Sequence, residues 1–449
     1  MTKQAQENEK AYLSSLTSVY LAMLASVYLL YPGLGGYQEI VTQKWETYLI
    51  LSGTYIVAMG IFKLDLTLAR VRGVVSLKRE GRPMGPSQRL VIGYLLATSL
   101  STFLSQYWST AIWGSGRREG LITITLYCIS FFLVSRYVHP KRWMLWLFAV
   151  TISANCIVAL LQFAGYNPFY LYPDGMDYYD GNMLYSGSFL GMVGNVDILS
   201  ALLSLAIPAF FAALLRWKDS RRRYLLIVPM ALCTFVLLQA FVAGGILGVS
   251  GAVLLSVPVL LESKTMRRRA RFIVVAAILL LAAGVYCFGE HMGGFFYEAS
   301  ELMHGRWDDR FGSGRLYIWR SVLPLVKERP LFGGGPDTLG LRTTAAFDGY
   351  NDALDIMIYS GIDTAHNEYF NIAINQGAVS LLCYLALLLT SAVRWVCQAR
   401  CSETVAICGC AVLGYCIQAF FGLSSPITTP YLWMALALLN SGENCSPVK

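Results

Sequence analysis

The chain has 449 residues, of which 56% are hydrophobic and only 14% charged. A soluble globular domain carries about 25% charged residues, so the composition excludes an ordinary soluble enzyme. The 40 glycines and 27 tyrosines fit a helical membrane protein, because glycine lets helices approach closely and aromatic rings collect at membrane interfaces. The formal net charge of +8 comes from basic clusters, which suit anionic lipid head groups and require no nucleic acid partner.

Apolar runs of about 17 to 25 residues indicate transmembrane helices. The first run follows a polar segment without a small-residue cleavage site, so we expect a retained helix and not a removable signal peptide. The predicted fold class is all-α: a polytopic transmembrane bundle of about 12 spans with one long extracytoplasmic, partly helical loop. The runs lie near residues 12–32, 46–69, 90–107, 120–138, 143–164, 189–215, 224–242, 245–262, 272–288, 372–393, 403–421 and 428–441.

The basic residues predict the orientation of these spans. If each predicted run crosses the membrane once, 24 basic residues fall on the side of the two termini and 10 on the other side. The positive-inside rule therefore places the N- and C-termini in the cytoplasm. Apart from Cys287, the cysteines lie in predicted spans or on the cytoplasmic side, so we expect no disulfide framework outside.

Three parts follow from this topology. Residues 1–288 form an N-terminal bundle of about nine spans, residues 289–371 a large extracytoplasmic loop, and residues 372–449 a C-terminal bundle of about three spans. The loop carries basic residues where the positive-inside rule disfavours them, which indicates either an anionic ligand outside or a solvated surface with acidic neighbours. These residues are Arg306, Arg310, Arg315, Arg320, Lys327, Arg329 and Arg342.

The loop segment GSGRLYIWRSVLPLVKERPLFGGGPDTLG reads as an amphipathic helix that begins near Ser313 and ends before Pro330. Arg315 and Trp319 are four residues apart and share a face with Val322 and Leu323. We therefore expect the helix to lie on the membrane surface with a guanidinium directed at a lipid-linked phosphate.

A glycine-rich turn, Gly333 to Gly335, follows the helix. It lacks the lysine and the serine or threonine of a P-loop, so a flexible turn is the favoured interpretation. His366 stands at the end of the loop, immediately before an amphipathic segment that becomes the tenth span. A histidine there can exchange protons near neutral pH, and an ordinary capping or interfacial residue is the alternative.

Three ordered blocks, GRLYIWR, RPLFGGGPDTLG and AHNEYFNIAINQGAVSLL, resemble the signature region of the O-antigen ligase and O-antigen polymerase superfamily of bacterial membrane glycosyltransferases. Upstream, SGSFLGMVGNVDILSALLSLAIP is similar to the family's Gly-Asn block, and SGRREGL is similar to its basic outer turn. Together these segments cover about a third of the chain.

The resemblance implies inverting transfer of a glycan from a polyprenyl (undecaprenyl) pyrophosphate carrier to an acceptor hydroxyl, without metal or cofactor, at the outer face of the bacterial cytoplasmic membrane. An imidazole suits the removal of the acceptor proton, and guanidiniums suit the charge of the leaving pyrophosphate. The resemblance assigns His366 as the general base and Arg315 as the ligand of the pyrophosphate. The further predicted substrate-binding residues are Arg320, Arg118, Arg117, Arg310, Asn367, Asn195 and Trp319.

One block departs from the family pattern. Where many relatives carry Ser-Arg-Gly at the outer end of a middle span, this chain reads AFVAGGILG around Val242 to Gly248. Either Arg118, Arg117 or Arg310 replaces the missing arginine, or the donor is held differently. The pair Gly244 and Gly248 is interpreted as a helix-packing site.

Other interpretations stay open at this point. Asp308 with Asp309, or Asp174 with Asp177, are potential ligands of a catalytic metal, and a site at His291 and His304 is a weaker alternative. A transporter of lipid-linked glycans is the runner-up function, and a noncatalytic assembly protein is the third. The predicted partners are the carrier-linked donor, a glycan, lipid or cell-wall acceptor, membrane lipids and polysaccharide-assembly proteins. The sequence leaves ligase and polymerase undecided.

Overall fold

The computed structural model of the chain describes residues 3–71, 83–171, 191–351 and 356–442. Within them the chain forms α-helices and one small antiparallel sheet. Helix α1 continues into a π-helical turn, Leu24–Tyr28. The first six helices are α1 (Lys3–Met23), α2 (Gly36–Val71), α3 (Pro86–Phe103), α4 (Trp108–Trp113), α5 (Leu121–Tyr137) and α6 (Arg142–Phe163).

The remaining elements form the second half of the bundle and the large loop. Short 3₁₀ segments occur at Pro168–Tyr170, Arg221–Leu226 and Gly289–His291. The order is α7 (Val196–Arg216), α8 (Ile227–Ala240), α9 (Ala243–Leu260), α10 (Lys264–Phe288), α11 (Gly294–Met303), α12 (Arg315–Glu328), α13 (Leu339–Arg342), β1 (Ala346–Asn351), β2 (Ile356–Gly361), α14 (Glu368–Asn375), α15 (Gly377–Gln398), α16 (Glu403–Gln418) and α17 (Thr429–Leu439).

Many of these helices are long and apolar enough to cross a membrane. A helix of 20 residues is about 30 Å long, which matches the hydrocarbon core of a bilayer. Eight described segments meet this requirement, and three shorter apolar helices, α5, α16 and α17, accompany them. The predicted class, a helical multi-pass membrane protein, is confirmed. The eight are Glu9–Tyr28, Glu39–Leu64, Arg142–Phe163, Val196–Arg216, Arg221–Ala240, Ala243–Leu260, Lys264–His291 and Gly377–Gln398.

Helix α7 lies at the centre of the bundle. It is apolar all round and largely buried, as expected for a helix with neighbours on every side. Small residues let its neighbours α9 and α16 come close: a Cβ added to Gly248 would lie 2.7 Å from the Gly414 carbonyl oxygen. A Cβ on Gly244 would lie 2.9 Å from Cβ of Phe421. The prediction that these two glycines serve helix packing is confirmed.

The large loop has a small apolar core of its own. Ile318, Val322 and Leu325 of α12 pack with Leu339 and with Ile374 of α14. The predicted helix is therefore present, beginning two residues later than Ser313 and ending before Pro330, where the following proline disfavours helical backbone. On the predicted apolar face, Val322 is buried within the loop core and Leu323 is 46% exposed. The contact of this helix with the membrane surface stays a prediction.

The loop also contains a hairpin that the sequence analysis did not anticipate. Strands β1 and β2 pair antiparallel, with Ala346 opposite Gly361 and Asn351 opposite Ile356. The two strands read AFDGYN and IMIYSG, and neither shows the regular alternation of apolar and polar residues that predicts a strand. The fold is thus all-α apart from this hairpin, which leads the chain back toward His366.

Candidate functional site

The backbone around His366 is held on both sides. His366 has φ of 47°, a left-handed conformation that is uncommon outside glycine but is enriched for histidine. On one side, the indole Nε1 of Trp319 donates a hydrogen bond of 2.8 Å to the Ala365 carbonyl. On the other, Asn367 caps α14 by accepting a hydrogen bond of 2.9 Å from the backbone N–H of Phe370. The imidazole therefore stands on an ordered corner between the loop and the bundle.

Glu368 fastens this corner to the membrane helices. Its backbone N–H donates to the Ala419 carbonyl at 2.9 Å, just beyond the end of α16. Its buried carboxylate accepts hydrogen bonds from the hydroxyls of Tyr384 at 2.6 Å and Tyr415 at 2.9 Å. The sequence analysis missed Glu368, because the three residues of this network lie far apart in sequence and no motif joins them.

Two guanidiniums and one carboxylate surround His366. Burial first, and then the positive charges of Arg315 and Arg117, lower the pKa of His366 to about 4, and the negative charge of Asp363 opposes part of this shift. The imidazole is consequently neutral at pH 7 and free to accept a proton. The structure thus brings together three of the residues predicted from sequence: His366, Arg315 and Arg117.

Arg315 opens α12 and offers donors to a ligand. One terminal nitrogen donates to the Gly312 carbonyl at 2.6 Å, while Nε is buried and has no hydrogen-bond partner among the described residues. Among the described residues, no carboxylate lies within ion-pair distance of the Arg315 guanidinium. A buried donor without an acceptor requires an explanation, and an anionic ligand provides one.

Arg117 reaches the site from the turn between α4 and α5. Its guanidinium makes two contacts with Asp363, 2.9 Å from Nε to Oδ2 and 3.3 Å from the terminal nitrogen to Oδ1. The same turn is held by Asp337, which accepts hydrogen bonds from the backbone N–H groups of Ser115 at 2.6 Å and Glu119 at 3.3 Å. Burial raises the pKa of Asp337 to about 6. Asp363 and Asp337 were missed in the sequence because each acts across more than 200 residues.

Asp197 is a further acidic group that the sequence analysis missed. It lies in the first turn of α7, and its carboxylate interacts electrostatically with Arg315 and Arg117. Asn195 caps the same helix by accepting hydrogen bonds from the N–H groups of Asp197 at 2.7 Å and Ile198 at 3.3 Å. The Gly-Asn block thus contributes an acidic side chain to the site, and the predicted residue Asn195 fixes the helix that carries it.

Three other predicted arginines have different partners in the structure. The guanidinium of Arg118 lies 4.9 Å from the centroid of the Trp45 ring. Arg310 and Arg320 are 88% and 71% exposed at their side chains, and they form ion pairs with Asp308 and Asp309 respectively. Of the cations offered as a replacement for the missing family arginine, Arg117 is therefore the one placed near His366.

Three of the residues considered as metal ligands, Asp308, Asp309 and His304, have other contacts. Asp308 and Asp309 are engaged by the arginines just named, and Asp174 and Asp177 lie outside the described residues. Nδ1 of His304 donates a hydrogen bond of 2.8 Å to the Ser300 carbonyl, and its ring stacks on Tyr286 with the ring centroids 4.2 Å apart. Asp308, Asp309 and His304 thus take part in the local folding of the loop.

The glycine-rich turn is packed and not loose. The N–H groups of Gly334 and Gly335 donate to the carbonyls of Ile374 at 3.3 Å and Asn375 at 2.7 Å. Arg342 covers the turn and donates to the same two residues of α14. Because these backbone donors are already used, the interpretation as a flexible turn was wrong, and the turn serves to join the loop to α14.

The geometry defines a class: a helical membrane protein with a neutral histidine and two arginines gathered where a loop domain joins the bundle. Residues 228–385, from α8 to α15, match the family model described as O-antigen ligase. The resemblance found in the sequence is thereby confirmed for this region of the chain. It includes Arg315 and His366, whereas Arg117 and Asp197 lie upstream of it. A search of curated proteins finds no match to the chain.

Proposed function

We propose that the protein is a glycosyltransferase that moves a glycan from a polyprenyl pyrophosphate carrier to an acceptor hydroxyl in surface polysaccharide biosynthesis. The observation that carries the proposal is the neutral imidazole of His366 beside the guanidiniums of Arg315 and Arg117. One group is able to take a proton, and the other two favour negative charge. The match of residues 228–385 to the O-antigen ligase family supports glycosyl transfer as the reaction.

The proposed step is a single displacement. The acceptor oxygen attacks the anomeric carbon and its proton passes to His366, while the bond between the anomeric carbon and the pyrophosphate oxygen breaks. The electron pair of that bond leaves with the carrier pyrophosphate, whose growing charge is stabilised by Arg315 and Arg117. The product has the inverted anomeric configuration, and the imidazolium returns its proton to water.

The same charges couple donor binding to the strength of the base. In the free protein, burial first, and then Arg315 and Arg117, hold the pKa of His366 below its usual value. A bound pyrophosphate offsets both positive charges, so the pKa of His366 rises, while the lowering by burial remains. The base is consequently strongest when the donor is in place.

The proposal includes the number of membrane spans and the side of the membrane on which the termini lie. We infer about 12 spans, in which the eight long helices are joined by α3, α5, α16 and α17. The parts 1–288, 289–371 and 372–449 are then an N-terminal bundle, an extracytoplasmic catalytic loop and a C-terminal bundle, with both termini in the cytoplasm of a bacterial cell. The acceptor is a lipid, a wall component or another carrier-linked glycan, which separates ligase from polymerase.

The test is made in cells that depend on this protein for their surface glycan. Gel profiles are compared for wild type, His366→Ala and Arg315→Lys at matched membrane expression. We expect both variants to lose the mature glycan and to accumulate carrier-linked intermediates outside the membrane. Unattached long polymer identifies a ligase, and loss of long polymer identifies a polymerase. Normal product from both variants contradicts the proposal and favours a transport or assembly role.

A further inference from the structure

A second site lies at the end of the bundle remote from His366. It is a half-open, mainly apolar cavity of about 210 Å³ lined by residues of α1, α6, α7, α16 and α17. Helix α16 begins beside it at Glu403 and ends next to Ala419, the residue that anchors Glu368. The 16 residues of α16 span about 24 Å at 1.5 Å per residue. The cavity is therefore separate from the proposed transfer site.

The cavity has a charged end and an apolar body. Its charged lining comprises Lys141, Arg142 and Glu403, at the beginnings of α6 and α16. From Glu403 the wall continues along α16 to Ala411, a length of about 12 Å, and Phe148 and Leu438 contribute to the apolar surface. A polar end followed by a narrow apolar channel matches the shape of an amphiphile with a hydrocarbon chain.

A buried donor in the wall lacks an acceptor. Trp217 lines the cavity and is only 2% exposed, and its Nε1 has no hydrogen-bond partner among the described residues. A buried N–H without an acceptor is unfavourable. An ester or phosphate oxygen of a bound molecule would satisfy it, whereas a purely hydrocarbon ligand would not.

The charges at the mouth are of both signs. Arg142 pairs with Glu403 and with Asp219, at 2.9 Å from Nε and 2.8 Å from a terminal nitrogen. Its guanidinium also lies 5.3 Å from the centroid of the Trp217 ring. The mouth therefore has the cations Lys141 and Arg142 and the carboxylate of Glu403, with Asp219 adjoining it through Arg142. Charges of both signs match a head group that itself carries one positive and one negative charge.

We propose that this cavity binds one acyl chain of a zwitterionic membrane phospholipid with a primary ammonium head group, such as phosphatidylethanolamine. The chain fills the space between α1, α6, α7, α16 and α17, and an oxygen of the head group accepts from Nε1 of Trp217. The phosphate lies near Lys141 and Arg142, and the ammonium lies near Asp219 and Glu403.

The test is native mass spectrometry of the full-length protein, purified in detergent and incubated separately with phosphatidylethanolamine, phosphatidylglycerol and a polyprenyl phosphate. We expect one phosphatidylethanolamine to be retained, about tenfold more than either alternative. Ala435→Phe projects a ring into the cavity and is expected to abolish retention. Ala277→Phe on the exposed face of α10 is the matched control and is expected to retain the lipid. Equal retention by both variants, or preference for either other lipid, overturns the proposal.

Trp217→Phe provides a second readout that does not depend on filling the cavity. The variant keeps an aromatic ring and removes only the N–H donor and the second ring. We expect several-fold weaker phosphatidylethanolamine retention, with a smaller gain in melting temperature on adding the lipid than wild type shows. Unchanged retention and an unchanged gain mean that the indole has only a packing role, and this outcome contradicts the proposed contact.

Discussion

Arg117 and Asp363 lie 246 residues apart in sequence and form an ion pair with two contacts, the shorter of which is 2.9 Å between Nε and Oδ2. The pair joins the turn before α5 to the segment that leads into His366. Both side chains are partly exposed, at 25% and 46%, so we expect the pair to contribute no more than about 1 kcal/mol to stability. Its importance is that it places a positive charge beside the proposed base.

Asp363→Asn tests this placement. The variant keeps the size of the side chain but removes the charge that orients Arg117, and we expect the transfer rate to fall at least tenfold, since misplaced groups cost about 10²-fold in well-organised sites. Asp308→Asn is the matched control, because Asp308 pairs with the exposed Arg310. Initial rates with purified protein distinguish the two. Similar rates for both variants would show that the pair has no role in transfer.

The acid limb of the pH profile reports the state of His366. The base must be neutral, and burial with two nearby guanidiniums lowers its pKa to about 4 in the free protein. Activity measured as kcat/KM should therefore persist as the pH falls from 7 to 5 and be lost near pH 4. Because bound pyrophosphate offsets the guanidiniums, kcat should be lost at a higher pH than kcat/KM. Coincident limbs for the two constants contradict the proposed coupling.

The stability of the folded protein should also depend on pH through the titration of His366. The folded protein binds fewer protons at His366 than the unfolded chain does between about pH 4 and 6.5, so this residue makes the folded state less stable as the pH falls through that window. His366→Gln removes the titration. The difference in melting temperature between wild type and His366→Gln should change between pH 7 and pH 4.5, in the direction of relative loss for wild type. A constant difference would place the imidazole in a solvated position.

Arg315→Lys tests the proposed pyrophosphate ligand. Lysine keeps the positive charge but loses the planar set of donors that matches two phosphate oxygens. We expect a loss of about 10²-fold in the transfer rate, the scale seen when one donor to a developing negative charge is removed. Arg320→Lys lies on the same helix, pairs with Asp309 and is exposed. It should retain nearly full activity, and an equal loss in both variants contradicts the assignment.

Gly334→Ala tests the join between the loop and the bundle. A Cβ at Gly334 would lie 2.3 Å from the guanidinium of Arg342, which is itself held by three hydrogen bonds. We expect a stability loss of about 1–3 kcal/mol, typical of overpacking a well-filled site. Gly116→Ala is the control, since a Cβ there meets nothing within 4 Å. Melting temperatures in detergent measure both, and a wild-type value for Gly334→Ala would show that Arg342 moves at no cost.

Much of the fold was predictable because the membrane imposes a simple rule on sequence. Helices α6, α7, α9 and α15 were each expected from an apolar run of sufficient length, since a bilayer requires that length and allows no unpaired backbone. The glycines of α9 were likewise interpreted correctly as contact points. The hairpin β1–β2 was not expected, because segments of six residues in a polar loop carry a weak pattern.

The site residues that could be predicted are those that lie within a short, recognisable sequence block. His366 and Arg315 were identified in the blocks that contain them, and the structure places their charges close enough to interact. Asp363, Asp197 and Glu368 were missed, because their importance depends on partners that only the folded chain brings near. The sequence also could not predict which of the outer arginines lies near His366. Arg118 and Arg117 are adjacent, yet Arg118 contacts Trp45 and Arg117 contacts Asp363.

The most direct test of the account is a transfer reaction in vesicles that contain only the purified protein, a labelled polyprenyl-pyrophosphate glycan and its acceptor. The amount of free polyprenyl pyrophosphate and of new glycosidic bond is measured for wild type and for His366→Ala. We predict that wild type forms both products in equal amounts with inverted configuration, and that His366→Ala is at least about 10²-fold slower, the usual contribution of a general base. Wild-type rates in His366→Ala would contradict the central claim.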